Sequence, residues 1–381
     1  MKVVFWSNLY TRHQEALSYA LANLSNEYYF IAETEEGQPL ELLGKDAQEV
    51  PDFVIHVNPA DRKDRIRWVT KNADVVILGV PAPDLVYACM VRKILIFRYS
   101  ERPFKEELSF LRRMVRAVRW RTWNPPGASI YLLCAGAYTA GDYCSIGMFR
   151  GRTYKWGYFP EFKRRQSIER LMEGKDYRQI LWAGRLLEWK HPEAALLLVR
   201  DLAETGICFK LKLIGSGPMR EKIDEMCRSL RINDYVEISE TVSPEELRRI
   251  MERSGIFLMT SDRREGWGAV VNEAMSCGCT VIGSSLAGSV PFLIRHGSNG
   301  CVYRFGDRSE LLKTASWLLE NPLKQREMGK SACRTIETEW NAEEAAKRFV
   351  ELAGGILTQN GIKAYKNGPC SRALTISEDW H

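Results

Sequence analysis

No apolar run in the sequence approaches the roughly 20 residues needed to cross a bilayer; runs such as 75–80 and 94–97 are strand-sized, so no transmembrane helix is expected. The opening stretch Met1-Lys2-Val3-Val4-Phe5-Trp6 turns polar at Ser7 and Asn8, too early for a secretory leader, and a cytoplasmic protein is expected. Neither a Cys-x-x-Cys pair nor a histidine at ligand spacing accompanies the 10 scattered cysteines, which are therefore expected to be buried free thiols rather than a disulfide framework or a zinc site. Where a nicotinamide dehydrogenase would carry Gly-x-Gly-x-x-Gly, this chain has Ser7-Asn8-Leu9-Tyr10-Thr11-Arg12. A Walker loop and an Asp-x-Asp metal motif are missing as well, which argues against the usual nucleoside triphosphatases and against a metal site.

What is present has the composition of a folded chain. Of 381 residues, 45% are hydrophobic and 27% charged, with 28 Gly and 15 Pro, which excludes collagen-like and wholly disordered classes. At ~150 residues per domain the length predicts two domains. Short β-branched and aromatic runs alternate with helical patterns, the signature of a parallel α/β architecture, and the alternation happens twice. Strands are predicted at 3–7, 28–33, 53–57, 75–79, 94–98 and 130–134, then at 179–183, 210–214, 236–238, 256–259, 280–283 and 300–303. The domains are expected at 1–160 and 178–340, joined by a charged linker at 161–177. A closing helical segment at 341–365 is placed to return to the first domain, and 366–381 is expected to be a poorly ordered polar tail.

Positive charge is concentrated rather than spread. The net charge is 54 minus 48, or +6, yet residues 101–170 hold 14 Lys and Arg against 6 Asp and Glu, a local +8 that leaves the rest at −2. Within that window residues 110–123 read as a basic amphipathic helix. From Arg112 to Trp123, five arginines interleave with apolar residues in a pattern suited to an anionic membrane surface, or to a solvated helix packed on its own sheet. Nucleic acid is not expected, because no binding motif or stacking platform accompanies the charge.

The second half carries the chemistry. Gly184-Arg185-Leu186-Leu187-Glu188-Trp189-Lys190 follows a strand and precedes a helix opened by Pro192, so two cations meet a helix N-terminus where a diphosphate would bind. Arg185 offers a bidentate fork and Lys190 a point charge to a leaving group that grows more negative as its bond to carbon breaks. Gly215-Ser216-Gly217-Pro218 opens a helix at a second strand end, as a ligand cradle or simply a tight turn. Glu265 and Glu273 then place two carboxylates eight residues apart, the first beside glycines that let a ligand approach the backbone, the second about two turns into the following helix.

These pieces, in this order, resemble the retaining glycosyltransferases of family four, with further matches at Ala274-Met275, Gly278 and Asn299-Gly300. The N-terminal half matches more sparsely, in Ser7-Asn8, His13-Gln14 and Ser100-Glu101-Arg102, in the manner of bacterial surface-polysaccharide transferases. The resemblance implies the GT-B fold, two facing Rossmann-like domains with an interdomain cleft. It implies that Arg185 and Lys190 hold the donor diphosphate, that Glu273 accepts hydrogen bonds from the ribose, and that Glu265 contacts the donor sugar. Gly215 and Gly217 would border the donor, and the backbone amides of Gly266, Trp267 and Gly268 would line its pocket. His13, Asn8, Glu101 and Arg102 are candidates by position for the sugar or acceptor. The family continues Gly-Gly-x-Pro-Glu where this chain has Gly288-Ser289-Val290-Pro291-Phe292, which changes the second glycine and loses the acid.

The implied activity moves a sugar from a nucleotide-diphosphate sugar to a sugar or lipid-linked acceptor with retention, requiring no cofactor or metal. Cytoplasmic, inner-face peripheral localisation goes with it. A nucleotide-sugar-binding scaffold of the same fold is the alternative; a GT-B phosphorylase is disfavoured by length and by the lack of a cofactor-binding lysine signature.

Overall fold

The computed structural model describes residues 1–33, 50–106, 109–162 and 167–381. The basic run 163–165 of the expected linker lies outside them. In chain order the first elements are β1 (Lys2–Ser7), α1 (Arg12–Leu24), β2 (Glu27–Glu33), β3 (Val54–Val57), α2 (Arg62–Asn72), β4 (Val75–Leu78) and α3 (Pro83–Val91). They are followed by β5 (Leu95–Ser100), α4 (Phe110–Trp123), β6 (Ile130–Ala135), α5 (Thr139–Ser145) and β7 (Thr153–Trp156). The second series is α6 (Ile168–Glu173), β8 (Asp176–Ala183), α7 (Pro192–Ala203), β9 (Lys210–Ile214), α8 (Arg220–Ser229), β10 (Val236–Ser239) and α9 (Pro244–Arg253). It continues with β11 (Ser254–Met259), α10 (Val270–Ser276), β12 (Thr280–Ser284), α11 (Val290–Leu293), β13 (Gly300–Tyr303), α12 (Arg308–Glu320) and α13 (Pro322–Thr338), and α14 (Ala342–Thr358) closes the helices.

The chain divides into two compact units, residues 1–161 with 341–375, and 162–340 with 376–381. The first holds a seven-stranded sheet in the order β3-β2-β1-β4-β5-β6-β7, the second a six-stranded sheet in the order β10-β9-β8-β11-β12-β13. All pairings are parallel. Strands covered by helices on both faces must be apolar throughout, and β4 and β11 are buried at every position. In each sheet the order reverses once, between β1 and β4 in the first unit and between β8 and β11 in the second. Such a switch point is where open α/β sheets bind ligands, outside the carboxyl ends of their strands.

Three expectations need correction. Part of the expected linker is folded: Ile168–Glu173 is a helix whose Leu171 and Met172 pack with Cys333, and β8 begins at Asp176. The expected polar tail is built in, because β7 is an edge strand whose free backbone groups need partners. Lys155 N donates to Ser371 O at 2.7 Å, while Cys370 N and Ala373 N donate to Lys155 O and Thr153 O at 2.8 and 3.1 Å. Further on, Trp380 Nε1 donates to Ser285 O at 3.2 Å. Eight of the ten cysteines are buried, but Cys144 is half-buried and Cys208 exposed. Helix α14 packs on α1 within the first unit and drives Phe349 against Phe97 and Trp156, with ring centroids 4.9 and 6.0 Å apart. No helix among the described residues is long and apolar enough to cross a membrane.

Candidate functional site

The switch point of the second sheet brings together residues 75 positions apart. After β8 the chain runs through Gly184 and Arg185 to a single 3-10 turn at Glu188–Lys190, then to His191 and the Pro192 start of α7. After β11 it runs through Thr260, Ser261 and Asp262 to Glu265. Lys190 Nζ lies 2.6 Å from Glu265 Oε2, and the two side chains are only 16% and 15% exposed. Ser261 Oγ donates to the same carboxylate oxygen at 3.2 Å. The two loops are also tied through their backbones. Asp262 N donates to Trp189 O at 2.9 Å, and Thr260 Oγ1, which accepts from Trp182 Nε1 at 2.8 Å, donates to Lys190 O at 2.6 Å. Lys190 is thus held in place before any ligand arrives, so its charge needs no reorganisation to act.

The glycines beside this pair serve close backbone approach. A Cβ on Gly215 would lie 1.9 Å from Gly184 O, and one on Gly217 would lie 2.7 Å from Leu186 O. The turn after β9 is therefore pressed onto the turn after β8, with Leu186 N donating to Ser216 O at 2.8 Å. In the same way a Cβ on Gly288 would lie 1.8 Å from Gly266 O, in a contact sealed by Gly288 N to Glu265 O at 3.2 Å and Ser289 N to Trp267 O at 3.0 Å. Gly268 takes a left-handed φ of 88°. The Trp267 side chain points into the core, fully buried, with Nε1 donating to Asn272 Oδ1 at 2.8 Å. Its ring meets Trp340 at 5.7 Å and Phe292 at 6.4 Å, and Phe292 stacks on Trp340 at 6.0 Å. At Phe292, then, an aromatic cluster stands where the family resemblance would put an acid.

Glu273 sits in the first turn of α10, half-buried, rather than two turns in, because the helix begins only at Val270. Arg185 is exposed at the mouth of the turn, with no side-chain partner among the described residues. Behind Lys190 the backbone of His191 is left-handed, with φ 49°. Its ring lies between two carboxylates, Nδ1 at 2.7 Å from Glu193 and Nε2 at 3.3 Å from Asp262. The hydrogen bond to Asp262, then that to Glu193, outweigh partial burial and raise the imidazole pKa to about 9. Burial alone would raise the Asp262 carboxyl, but hydrogen bonds from His191 and Arg264 hold it down to about 2. Sequence reasoning missed Ser261 and Asp262, which carry no motif of their own: Asp262 becomes visible only once the two loops are known to meet, and Ser261 only through its hydroxyl on Glu265.

In the first unit the loops after β1, β5 and β7 supply the other candidates. His13, exposed on the first turn of α1, lies 5.8 Å ring to ring from Tyr158. Packing around its ring, with the Arg12 charge second, holds its pKa below the usual histidine value. Tyr158 Oη donates to Glu101 Oε1 at 2.9 Å, and Lys105 Nζ binds Glu101 Oε2 at 2.5 Å. Tyr158 thus joins His13 and Glu101, although the sequence placed it next to the linker. Asn8 is exposed, and its Oδ1 accepts from Leu9 N at 3.0 Å. Arg102 does not belong with these residues: it is 4% exposed and bound bidentately by Asp142 at 3.1 and 3.2 Å, over the ring of Tyr138. It is a strut for the loop after β5. Among the described residues, no three His, Cys, Asp or Glu side chains are placed to hold a metal ion.

Residues 163–335 match the family model described as "Glycosyl transferases group 1". Over 164 residues the chain is 27% identical to N-acetyl-alpha-D-glucosaminyl L-malate synthase of Bacillus anthracis, a match that covers 43% of this chain and 41% of that protein. Over 179 residues it is 27% identical to the amylovoran biosynthesis glycosyltransferase AmsK of Erwinia amylovora, covering 46% and 44%. The chain therefore spans less than half the length of these curated relatives. Among solved structures, Alr3699/HepE of Anabaena in complex with UDP agrees with a TM-score of 0.69 at 15% identity, over 93% of this chain and all of that one. Residues 163–335 are accordingly a glycosyltransferase group 1 domain, in a chain whose two parallel Rossmann-like sheets have GT-B glycosyltransferases as their structural neighbours.

Proposed function

We propose that this chain is a retaining glycosyltransferase that moves a sugar from a nucleoside-diphosphate sugar to an acceptor hydroxyl in the synthesis of a cell-surface polysaccharide or glycolipid. The observation that carries this reading is the Lys190–Glu265 contact at the switch point of the second sheet, with Arg185 exposed beside it. An Anabaena neighbour of the same fold bound to UDP, and one bound to UDP-glucose, support a nucleotide-sugar donor.

In this account Arg185 and Lys190 bind the diphosphate, Glu273 accepts hydrogen bonds from the ribose hydroxyls, and Glu265 orients the donor sugar. The backbone amides of Gly266, Trp267 and Gly268 line the sugar pocket, which Gly215 and Gly217 border. The acceptor oxygen forms its bond to the anomeric carbon as the bond from that carbon to the diphosphate oxygen breaks. The acceptor proton passes to the departing phosphate on the same face. Lys190 stabilises the charge that develops there, with no metal in the step. His13, Glu101 and Asn8 are assigned to the acceptor or reacting sugar, together with Tyr158.

The acceptor is assigned to an anionic membrane on the cytoplasmic side, held by α4. That helix packs through Ala117, Trp120 and Trp123 but exposes Leu111, Met114, Val115 and Val118 at 75%, 50%, 70% and 60%. These positions form one apolar stripe at helical spacing, beside exposed Arg112, Arg116 and Arg119.

The test is incubation with a panel of nucleoside-diphosphate sugars, following released nucleotide and, by NMR, the anomeric configuration of the product. Release with retained configuration is expected. Inversion would refute the retaining mechanism, and tight binding without release would identify a non-catalytic scaffold.

A further inference from the structure

The first unit contains a second concave site, away from the carboxyl ends of its strands. A cavity of about 380 Å³ opens at the amino-terminal ends of β6 and β7, under the last turn of α4, lined by Arg121, Arg150, Arg152, Asn124, Met148 and Phe149 among others. Among the described residues no carboxylate lines it. Elsewhere the arginines of this protein are commonly paired with acids, as in Arg62–Asp84, Arg102–Asp142, Arg220–Asp224 and Arg308–Asp201. The three cavity arginines have no acidic partner among the described residues. Arg121 Nη2 donates to Ile146 O at 3.1 Å, Arg152 lies over the Tyr131 ring at 5.7 Å, and Arg150 has no side-chain partner.

A fourth guanidinium stands behind this wall. Arg98 is 2% exposed, and its Nε donates at 3.1 Å to the Oδ1 of Asn124, a cavity residue; Nη1 donates to Val80 O at 2.6 Å, and Nη2 has no partner among the described residues. A buried cation without a counterion is costly, and an anion in the cavity, reached through Asn124, would offset that cost. The backbone of the wall is itself strained to make the shape: Phe149 is left-handed at φ 52°, between Gly147 and Gly151 at 76° and 69°. Gly147 holds the left-handed φ of 76° that favours glycine, and a Cβ there, 2.7 Å from Arg121 Nη2, would displace that guanidinium. Strain of this kind in a cavity wall is an indication of function.

We propose that this cavity binds a phosphomonoester, with Arg121, Arg150 and Arg152 gripping the phosphate and the apolar wall of Met148 and Phe149 taking the group that bears it. Guanidinium forks match phosphate bidentately, and the volume is that of a small organic ligand rather than a bare ion. The inference stands apart from the donor reading, since it uses neither the second unit nor a strand's carboxyl end.

The shared chemistry admits a soluble phosphate ester or a lipid headgroup. Two arms on the full chain separate them: titration with glycerol 3-phosphate, and co-sedimentation with phosphatidylcholine vesicles carrying phosphatidic acid or, at matched charge, phosphatidylglycerol. Wild type is expected to bind glycerol 3-phosphate saturably. Arg150→Gln/Arg152→Gln is expected to bind at least tenfold more weakly while melting no lower than wild type without ligand, and Lys190→Met is expected to bind like wild type. A preference for phosphatidic acid over phosphatidylglycerol that vanishes in the double variant identifies the headgroup as the source; its absence, with glycerol 3-phosphate still bound, identifies the soluble ester. No saturable binding in either arm, binding indifferent to Arg150 and Arg152, or binding lost in Lys190→Met instead, would overturn the proposal.

Discussion

Replacing Lys190 by Met separates what the Lys190–Glu265 pair does for the fold from what it does for chemistry. Breaking a fully buried pair by removing one partner costs about 3–5 kcal/mol, and an exposed pair contributes about 0–1 kcal/mol. Here the side chains are 16% and 15% exposed, and Ser261 still donates to the orphaned carboxylate. The cost therefore falls between those limits, at about 2 kcal/mol, which for a unit of this size is a drop of about 4–8 °C in melting temperature. Adding Glu265→Gln removes the orphaned charge and should recover most of that loss. Turnover behaves differently: losing one preorganised donor costs about 10²–10³-fold, and the double variant regains none of it because the cation is still missing. Thermal melts and donor-turnover assays on both variants read the two quantities. A double variant no more stable than Lys190→Met, or a single variant turning over at the wild-type rate, would refute the reasoning.

Three further outcomes follow from particular contacts. The raised pKa of His191 means that its stabilisation is complete below pH ~6.5, the unfolded value, and is lost as pH rises through about 9. Discounted for solvent access, His191→Gln should cost about 1–2 kcal/mol at pH 6 and almost nothing at pH 10 by denaturant titration; equal costs at both would count against the charged cluster. Gly288→Ala should force the turn off Gly266 and cost about 1–3 kcal/mol as overpacking, with a loss of turnover, and wild-type melting would show that the two backbones do not meet. Arg112→Glu/Arg113→Glu/Arg116→Glu should release the protein from anionic vesicles, since each basic residue near such a surface contributes about 1 kcal/mol; binding unchanged by the triple substitution would return α4 to a merely solvated helix.

The strands were legible where apolar runs were long enough to need both faces covered. All of the predicted strands are present, with ends shifted by a few residues. The missed strand, β7, has four residues, including Lys155, between a glycine turn and a loop, and only the chain that pairs along its edge explains it. The same edge explains why a polar C-terminus is built in. Lys190 and Glu265 stood out in the sequence because each follows a strand end, and the structure brings the two into contact. Asp262 and Tyr158 did not, because hydrogen bonds to partners 71 and 57 residues away leave no local pattern, and Ser261, four residues from Glu265, sits in no motif. Arg102 misled for the complementary reason: its partner Asp142 is 40 residues away, so the sequence gives no hint that the charge is already neutralised.

The central claim is that the switch point of the second sheet is a diphosphate site built on Lys190. The most direct test is calorimetric titration of uridine and guanosine mono- and diphosphates into wild type and Lys190→Met at fixed salt. A diphosphate is expected to bind wild type more tightly than the matching monophosphate, and Lys190→Met to weaken the diphosphate at least tenfold while leaving the monophosphate within about twofold. Equal affinities for the two phosphate lengths, or a diphosphate affinity unmoved by Lys190→Met, would contradict it.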